Sequence, residues 1–306
     1  MIRTLRNFIV ASLLLPVALP LSAAQVSNVL PAKVQQSLKA NKISANSLSV
    51  VALPLDGVGN GITYNADVSV NPASTMKLVT TYAALELLGP THQWRTEFYG
   101  DGPLKDGVLN GNLYLKGGGD PKLNMEKLWL MMRDLRANGV QRITGDLVLD
   151  RSHFHHPSLP SFNDDGGDPN KPFLVGPDSL LVNLKAVRMV ARTSGGKVSV
   201  MMEPPLTNVR IDNKVKALGG GKCPAWPDVR YNPVTQYDGT TLVVTGKLAE
   251  GCSAQTYLAL LDHPGYAAGA VRAIWQELGG SILGKDRVGD VPKKAQLLAR
   301  TFSPDL

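Results

Sequence analysis

Apolar and polar positions recur with different periods along this chain, and the changes of period divide it into segments. Val29 to Leu38 has the apolar spacing of a short helix, interrupted by Pro31 near its start. Ser47 to Leu53 alternates as a strand does, Gly57 to Gly61 reads as a turn, and Ile62-Thr63-Tyr64 predicts the returning strand of a hairpin. Asn71-Pro72-Ala73 stops extended structure. Ser74 to Leu88 then predicts a helix with Met76, Val79, Ala83 and Leu87 on one side, closed by Gly89-Pro90.

The middle third has shorter elements. Val108 to Leu115 predicts strands around a tight Asn110-Gly111 turn. Lys122 to Asn138 predicts an amphipathic helix with Leu128, Met131, Met132 and Leu135 on its apolar stripe and Gly139 at its end. Ile143 to Leu149 reads as one strand, and His153 to Pro177 as a loop rich in Pro, Gly and Asp. Leu180 to Met202 predicts a long hairpin that turns at Ser194-Gly195-Gly196. Val271, Ile274, Trp275 and Leu278 mark a late helix before Gly279-Gly280. The pattern shows no internal repeat.

Composition narrows the class. With 306 residues and 43% hydrophobic positions, the chain can bury a real core, which excludes wholesale disorder. The length predicts two domains, or one large one with insertions. Two cysteines cannot build a four-cysteine zinc site, and the five histidines are scattered. Beyond residue 24 no run approaches the ~18 apolar residues of a membrane span.

Arg3 and Arg6 precede an apolar stretch from Phe8 to Leu21, which ends at Ser22-Ala23-Ala24. This is the pattern of a secretory signal cut after Ala24, and it predicts export to the periplasm. The alternative, an uncleaved anchor, is opposed by Pro16, Pro20 and the short apolar length. Removing residues 1–24 lowers the net charge from +7 to +5. That excess favours anionic surfaces such as cell-wall polymers, and is compatible with peripheral contact to phospholipid headgroups. Nucleic acid is not an expected partner, because no Lys/Arg run is interleaved with aromatics.

Export also governs the cysteines. Cys223 and Cys252 are 29 positions apart in Gly/Pro-punctuated stretches, and an oxidising compartment predicts a disulfide between them. The alternative of a catalytic thiol lacks a nearby His partner.

The chemistry centres on Ser74-Thr75-Met76-Lys77. At three-residue spacing on a helix the lysine amine reaches the serine hydroxyl. A serine becomes a useful nucleophile when an adjacent base takes its proton, and a lysine of lowered pKa can be that base. The helix N-terminus would add N–H donors for an oxyanion. The competing structural role for Ser74 is an N-cap. S-x-x-K alone is a weak signal: Ser194-Gly195-Gly196-Lys197 also matches, in a hairpin turn where no helix would hold the pair together.

Several segments together are more specific. Asn71 to Lys77, with the helix ending Leu87-Leu88-Gly89-Pro90, resembles the active-site segment of class C low-molecular-mass penicillin-binding proteins, the D-alanyl-D-alanine carboxypeptidases/endopeptidases. The resemblance continues through Asn112 to Pro121, Gly145 to Phe154, Leu181-Val182-Asn183 and Ser303-Pro304. It therefore covers essentially the whole chain after the signal. It implies an α/β (α+β) fold, a serine β-lactamase/transpeptidase-like domain interrupted by β-rich inserted subdomains. Residues 25–92 would be the N-terminal part of that domain, 93–254 the insertions, and 255–306 the return into it.

The same resemblance implies an acyl-enzyme mechanism with Ser74 as nucleophile and Lys77 as general base, and no metal or cofactor. The implied partners are peptidoglycan stem peptides and β-lactams. Asp164, in Phe162-Asn163-Asp164, matches the place of an acidic residue that helps to bind the stem peptide in some relatives. Two further motifs of such enzymes, S-x-N and K-[ST]-G, follow the insertions. Here Ser44-Ala45-Asn46 precedes the nucleophile, Ser161-Phe162-Asn163 falls within the insertion, and Thr245-Gly246 follows Val244 rather than a lysine. The expectation is an amino-terminal portion of such an enzyme, incomplete at the C-terminus.

Two other readings stay open. One is a catalytically silent fragment that at most binds cell wall or a partner. The other is an S-x-x-K esterase or β-lactamase, which the size of the insertion disfavours. Lys116 to Asp120 is Gly-rich but lacks a phosphate-loop pattern and reads as a turn. His153, His155 and His156 read as solvated loop residues, and Trp129, Met131 and Met132 as core.

Overall fold

The computed structural model describes residues 25–155, 170–236 and 239–306, so the signal segment, His156 and Asp164 lie outside the described residues. It divides into two compact units, one up to Tyr82 and one from Ala83 onward.

The first unit contains β1 (Gln25–Ser27), α1 (Ala32–Ala40), β2 (Val50–Ala52) and β3 (Asn60–Tyr64). Pro31 stands just ahead of α1, where its missing N–H costs nothing. β2 and β3 form the expected antiparallel pair, with Val50 opposite Tyr64, and β1 adds in parallel on the other side of β3. The strand expected from Ser47 begins only at Val50. Ser44 Oγ accepts the Asn46 N–H at 3.3 Å and holds Ala45–Ser47 as a turn of 3₁₀ helix.

α2 (Met76–Leu88) follows a turn of 3₁₀ helix at Ala73–Thr75, and Gly89 closes it in the left-handed region at φ +82°. The expected single apolar side gives way to apolar residues all round. Met76, Leu78, Val79, Tyr82, Leu87 and Leu88 are all exposed. A helix apolar on every side is ordinarily buried on every side.

In the second unit, β4 (Arg95–Gly100), β5 (Leu104–Lys105), β6 (Val108–Leu109) and β7 (Leu113–Gly117) precede α3 (Met125–Ala137), β8 (Arg142–Ile143) and β9 (Leu147–Asp150). Asn110-Gly111 is not the hairpin turn. That turn is Asp106-Gly107, both left-handed, between β5 and β6. Asn110-Gly111 instead carries the chain between sheets, because β6 pairs with β5 and β8 while β7 pairs with β4 and β9. The single strand expected over Ile143–Leu149 is likewise two strands in two sheets. The chain crosses at Gly145, where a Cβ would stand 2.5 Å from the Gly111 carbonyl oxygen.

α3 agrees with its pattern. Asn124 Oδ1 accepts the Lys127 N–H, and Leu128, Met131, Met132 and Leu135 are buried. Trp129 lies half-buried at the edge of the stripe, its indole N–H donating to Glu277.

The long hairpin is present but starts later than Leu180, because Asn183–Lys185 is a 3₁₀ turn: its strands are β10 (Ala186–Ser194) and β11 (Lys197–Glu203) around Gly195-Gly196, both left-handed. β12 (Val209–Leu218), β13 (Val229–Gln236) and β14 (Gly239–Ala249) form a separate sheet with β14 central, parallel to β12 and antiparallel to β13. β15 (Ser253–Ala259) returns to β10. A disulfide joins Cys223 to Cys252, with Cα atoms 5.5 Å apart, and Cys252 is buried beside Ala191, Leu248 and Ala254.

α4 (His263–Glu277) is capped by the Asp262 carboxylate, which accepts the Gly265 N–H at 2.7 Å. It leads to β16 (Ser281–Ile282), β17 (Asp286–Val288) and β18 (Gln296–Phe302). These strands complete two sheets, ordered β17-β9-β7-β4-β18 and β16-β8-β6-β5. α3-β8-β9 and α4-β16-β17 thus repeat one unit, a helix and two short strands, with equivalent strands paired in parallel. The apolar pattern did not show this repeat. Phe98, Leu115 and Leu149 from the sheet, Leu128 and Met132 from α3, and Ile274 and Trp275 from α4 form one core. Each such side chain contributes roughly 1.5–3 kcal/mol on burial.

Candidate active site

Ser74 sits in the 3₁₀ turn that opens α2, and the residues before it set that turn. Asn71 Oδ1 accepts the Ala73 N–H at 2.9 Å, and the Pro72 carbonyl accepts the Thr75 N–H at 2.9 Å. Ala73 is held at φ +44°, a left-handed position that costs a non-glycine residue about 1–2 kcal/mol. From that turn Ser74 meets Lys77: the Lys77 Nζ donates to Ser74 Oγ at 2.8 Å. Both residues are exposed. The N–H groups of Ala73, Thr75 and Met76 are all bonded within the turn, so these three are not the free oxyanion donors that a helix start promises.

A second polar assembly crosses the five-stranded sheet of the other unit. Arg300, Glu97, Lys116 and Asp150 lie in register on β18, β4, β7 and β9, giving a row of alternating charge. Arg300 Nε donates to Glu97 Oε1 at 2.7 Å, and Tyr99 donates its hydroxyl to Glu97 Oε2 at 3.0 Å. Lys116 Nζ lies 3.6 Å from Asp150 Oδ2. Burial alone would push the Asp150 carboxyl up. The Ser152 hydroxyl, the N–H groups of Val291 and Ser152, and the Lys116 ammonium outweigh it and hold Asp150 below the usual carboxylate range.

Residues 30–306 match the model of the D-Ala-D-Ala carboxypeptidase 3 (S13) family. The chain belongs to that family.

As a carboxypeptidase 3 family member it is 27% identical over 260 residues to the D-alanyl-D-alanine carboxypeptidase DacB of Haemophilus influenzae, covering 79% of this chain and 51% of that one. It is 29% identical over 253 residues to a D-alanyl-D-alanine carboxypeptidase of an Actinomadura species, covering 77% and 45%. The chain thus spans about half the length of the curated relatives it matches. Penicillin binding protein 4 (dacB) of Haemophilus influenzae superposes with a TM-score of 0.64 at 24% identity, over 83% of this chain and 56% of that chain. The same protein complexed with a β-lactam gives a TM-score of 0.55 at 24% identity, over 79% and 51%. At that identity the likeness is one of fold: the mixed α/β architecture with several sheets is transpeptidase/β-lactamase-like, as the family resemblance implied.

Within this family member the structure brings Ser74 and Lys77 together, while Asp164 lies outside the described residues. Ser194 and Lys197 close the Gly195-Gly196 hairpin as opposed strand residues, not as a helical pair. Ser44, of Ser44-Ala45-Asn46, serves its own local turn. His153 and His155 are exposed, and among the described residues no three His, Cys, Asp or Glu side chains gather to hold a metal.

Sequence reasoning missed the part played by Asn71. Its signal is an Asn two residues before the left-handed Ala73, where a side-chain oxygen can mimic a backbone turn. It also missed the Arg300–Glu97–Lys116–Asp150 row, because strand register is not written in any one strand.

Proposed function

We propose that this chain carries the nucleophile of a serine D-Ala-D-Ala carboxypeptidase/endopeptidase that acts on peptidoglycan in the periplasm, after export by the N-terminal signal. The hydrogen bond between Lys77 Nζ and Ser74 Oγ at 2.8 Å carries this reading. With its amine neutral, Lys77 takes the hydroxyl proton as Ser74 Oγ bonds to the carbonyl carbon of the D-Ala-D-Ala peptide. The C–N bond breaks, the departing D-alanine amine takes that proton, and an ester on Ser74 remains. Water adds to the ester carbonyl, Oγ leaves with a proton, and the shortened stem peptide is released. A β-lactam acylates the same Oγ and leaves an ester that hydrolyses slowly. No metal or cofactor enters these steps.

The test is labelling of the chain by fluorescent penicillin. Wild-type chain becomes labelled and Ser74→Ala does not. Equal labelling of that variant would overturn the assignment of Ser74.

A second reading is favoured by one observation, the exposure of Ser74, Lys77 and the apolar faces of α2. A lysine becomes a base through burial or neighbouring cations. On this reading the chain is catalytically silent and holds cell wall or a partner without acylation. Its expected signature is absence of penicillin labelling from wild type and variant alike, with retention on insoluble peptidoglycan.

A further inference from the structure

A cleft of about 670 Å³ opens in the unit from Ala83 onward, built from none of the residues of the Ser74 turn. Its floor is one face of β18, β4 and β7. Alternation along β4 puts Arg95, Glu97 and Tyr99 on this face, while Thr96 and Phe98 are buried on the other. Along most of the floor the charges cancel, because Glu97 is taken by Arg300 and Lys116 lies beside Asp150.

One row away the cancellation stops. Arg95 lies opposite Phe302 on β18, and among the described residues its guanidinium has no carboxylate partner. On its other side the chain runs through Gly118, where a Cβ would stand 2.3 Å from the Arg95 carbonyl oxygen. The close approach demands glycine there and leaves open floor beside Arg95.

The walls beside Arg95 are aromatic, and the backbone that carries Trp94 is anchored. Both main-chain polar groups of Trp94 bond to Ser303: its N–H donates to Ser303 Oγ at 3.0 Å and its carbonyl accepts the Ser303 N–H at 2.8 Å. His92 packs edge-on against it, ring centroids 4.8 Å apart. A guanidinium with no carboxylate partner among the described residues, beside aromatic rings, suits a carboxylate attached to a body with an apolar face. The guanidinium pairs two oxygens at once, and the rings cover the rest.

We infer that this cleft is a second ligand site, for a carboxylate-bearing piece of peptidoglycan held by Arg95 against Trp94 and Phe302. The demand for a carboxylate comes from the cleft; its assignment to peptidoglycan rests on the function proposed above. The carboxylate belongs either to a stem peptide or to the lactyl group of a muramic acid freed of its stem.

Calorimetry with the full chain separates these sources. Its arms are a free tetrapeptide stem, a stem-free muramyl disaccharide, and a di-N-acetylglucosamine that lacks any carboxylate. The indole N–H signal of Trp94, assigned by Trp94→Phe, reports where each binds. We expect saturable binding of at least one carboxylate ligand, with a shift of the Trp94 signal, and none of the neutral disaccharide. Arg95→Ala and Arg95→Gln weaken that binding at least about 10-fold, the loss typical of a charge-assisted pair. Arg95 is exposed, and an unchanged melting temperature in either variant shows that the fold is intact.

Undiminished binding by both Arg95 variants, a silent Trp94 signal, or equal binding of the neutral disaccharide would overturn the site. Ser74→Ala retains the binding. Trp94-reported binding without penicillin labelling of the wild type defeats the peptidase reading alone, and labelling without such binding defeats the cleft alone.

Discussion

Lys77 Nζ reaches Ser74 Oγ at 2.8 Å because a left-handed Ala73 turns the chain into α2 just ahead of the serine. The pair makes sense as chemistry only if Lys77 can shed a proton. Lys77→Arg keeps the positive charge and the donor but not the base, since a guanidinium stays protonated. Penicillin labelling should slow by about 10²–10⁴-fold in Lys77→Arg, and by a similar factor in Lys77→Ala. Near wild-type labelling of Lys77→Arg would show that charge alone is needed.

The Cys223–Cys252 bond closes a loop with a sequence separation of 29 and fixes the segment after β12 to the start of β15. In the chain-entropy account a loop of that size stabilises by roughly 3–4 kcal/mol. Paired Cys223→Ser and Cys252→Ser substitutions should lower the unfolding free energy in urea by about that amount, and reduction of the wild type should lower it equally. No loss in either case would mean that the native fold already holds these segments together.

Much of this fold was legible in the sequence where one element decides its own structure. α3 announces itself by its apolar stripe and its Asn124 cap, and the β10–β11 hairpin by two glycines that both adopt positive φ. Legibility failed where partners decide. Asn110-Gly111 has the chemistry of a hairpin turn, but nothing local says that β6 and β7 belong to different sheets. Asp212-Asn213-Lys214 interrupts the apolar alternation along β12, whose parallel partner β14 comes only after β13 has intervened. α2 offers no face to read because apolar residues surround it. The S-x-x-K pair was legible for the opposite reason: its contact lies within one helical turn.

Acid should weaken the second unit in two windows. Asp150 and Asp178 are fully buried carboxylates. Burial pushes both up, but hydrogen bonds and neighbouring cations hold both below the usual range: Ser152, Val291 and Lys116 for Asp150, and Arg151, the Leu180 N–H and His263 for Asp178. Each therefore binds its proton more readily when unfolded. Its stabilisation is complete above the ordinary aspartate value of about 3.9 and is lost as pH falls below it. His263, pushed down by burial, adds an earlier loss below the ordinary histidine value of about 6.5. The melting temperature should begin to fall below about pH 6.5, and fall again below about pH 4. Asp150→Asn should lower it at neutral pH while flattening the lower window.

Tyr266, fully buried on α4, donates its hydroxyl to the Ala186 carbonyl at 2.9 Å and accepts from Asn183 Nδ2 at 3.1 Å. Asn183 in turn donates to the same carbonyl at 2.9 Å, which anchors a left-handed run from Asn183 to Lys185. Burial pushes the Tyr266 phenol up to about 12. The folded state thus retains a proton that the unfolded chain loses near pH 10. The stabilisation it represents is complete below about pH 10 and disappears as pH rises through about 12. Tyr266→Phe should cost about 1 kcal/mol at neutral pH, the value of one net hydrogen bond, because Asn183 still serves the Ala186 carbonyl. Asn183→Ala should cost more, since it also removes the side chain that supports the left-handed run. In a double-mutant cycle the two losses should fall short of additive by about 0.5–1 kcal/mol. Strict additivity would show that the phenol and the turn at Asn183 act independently, and an unchanged alkaline limb in Tyr266→Phe would show that the phenol does not set it.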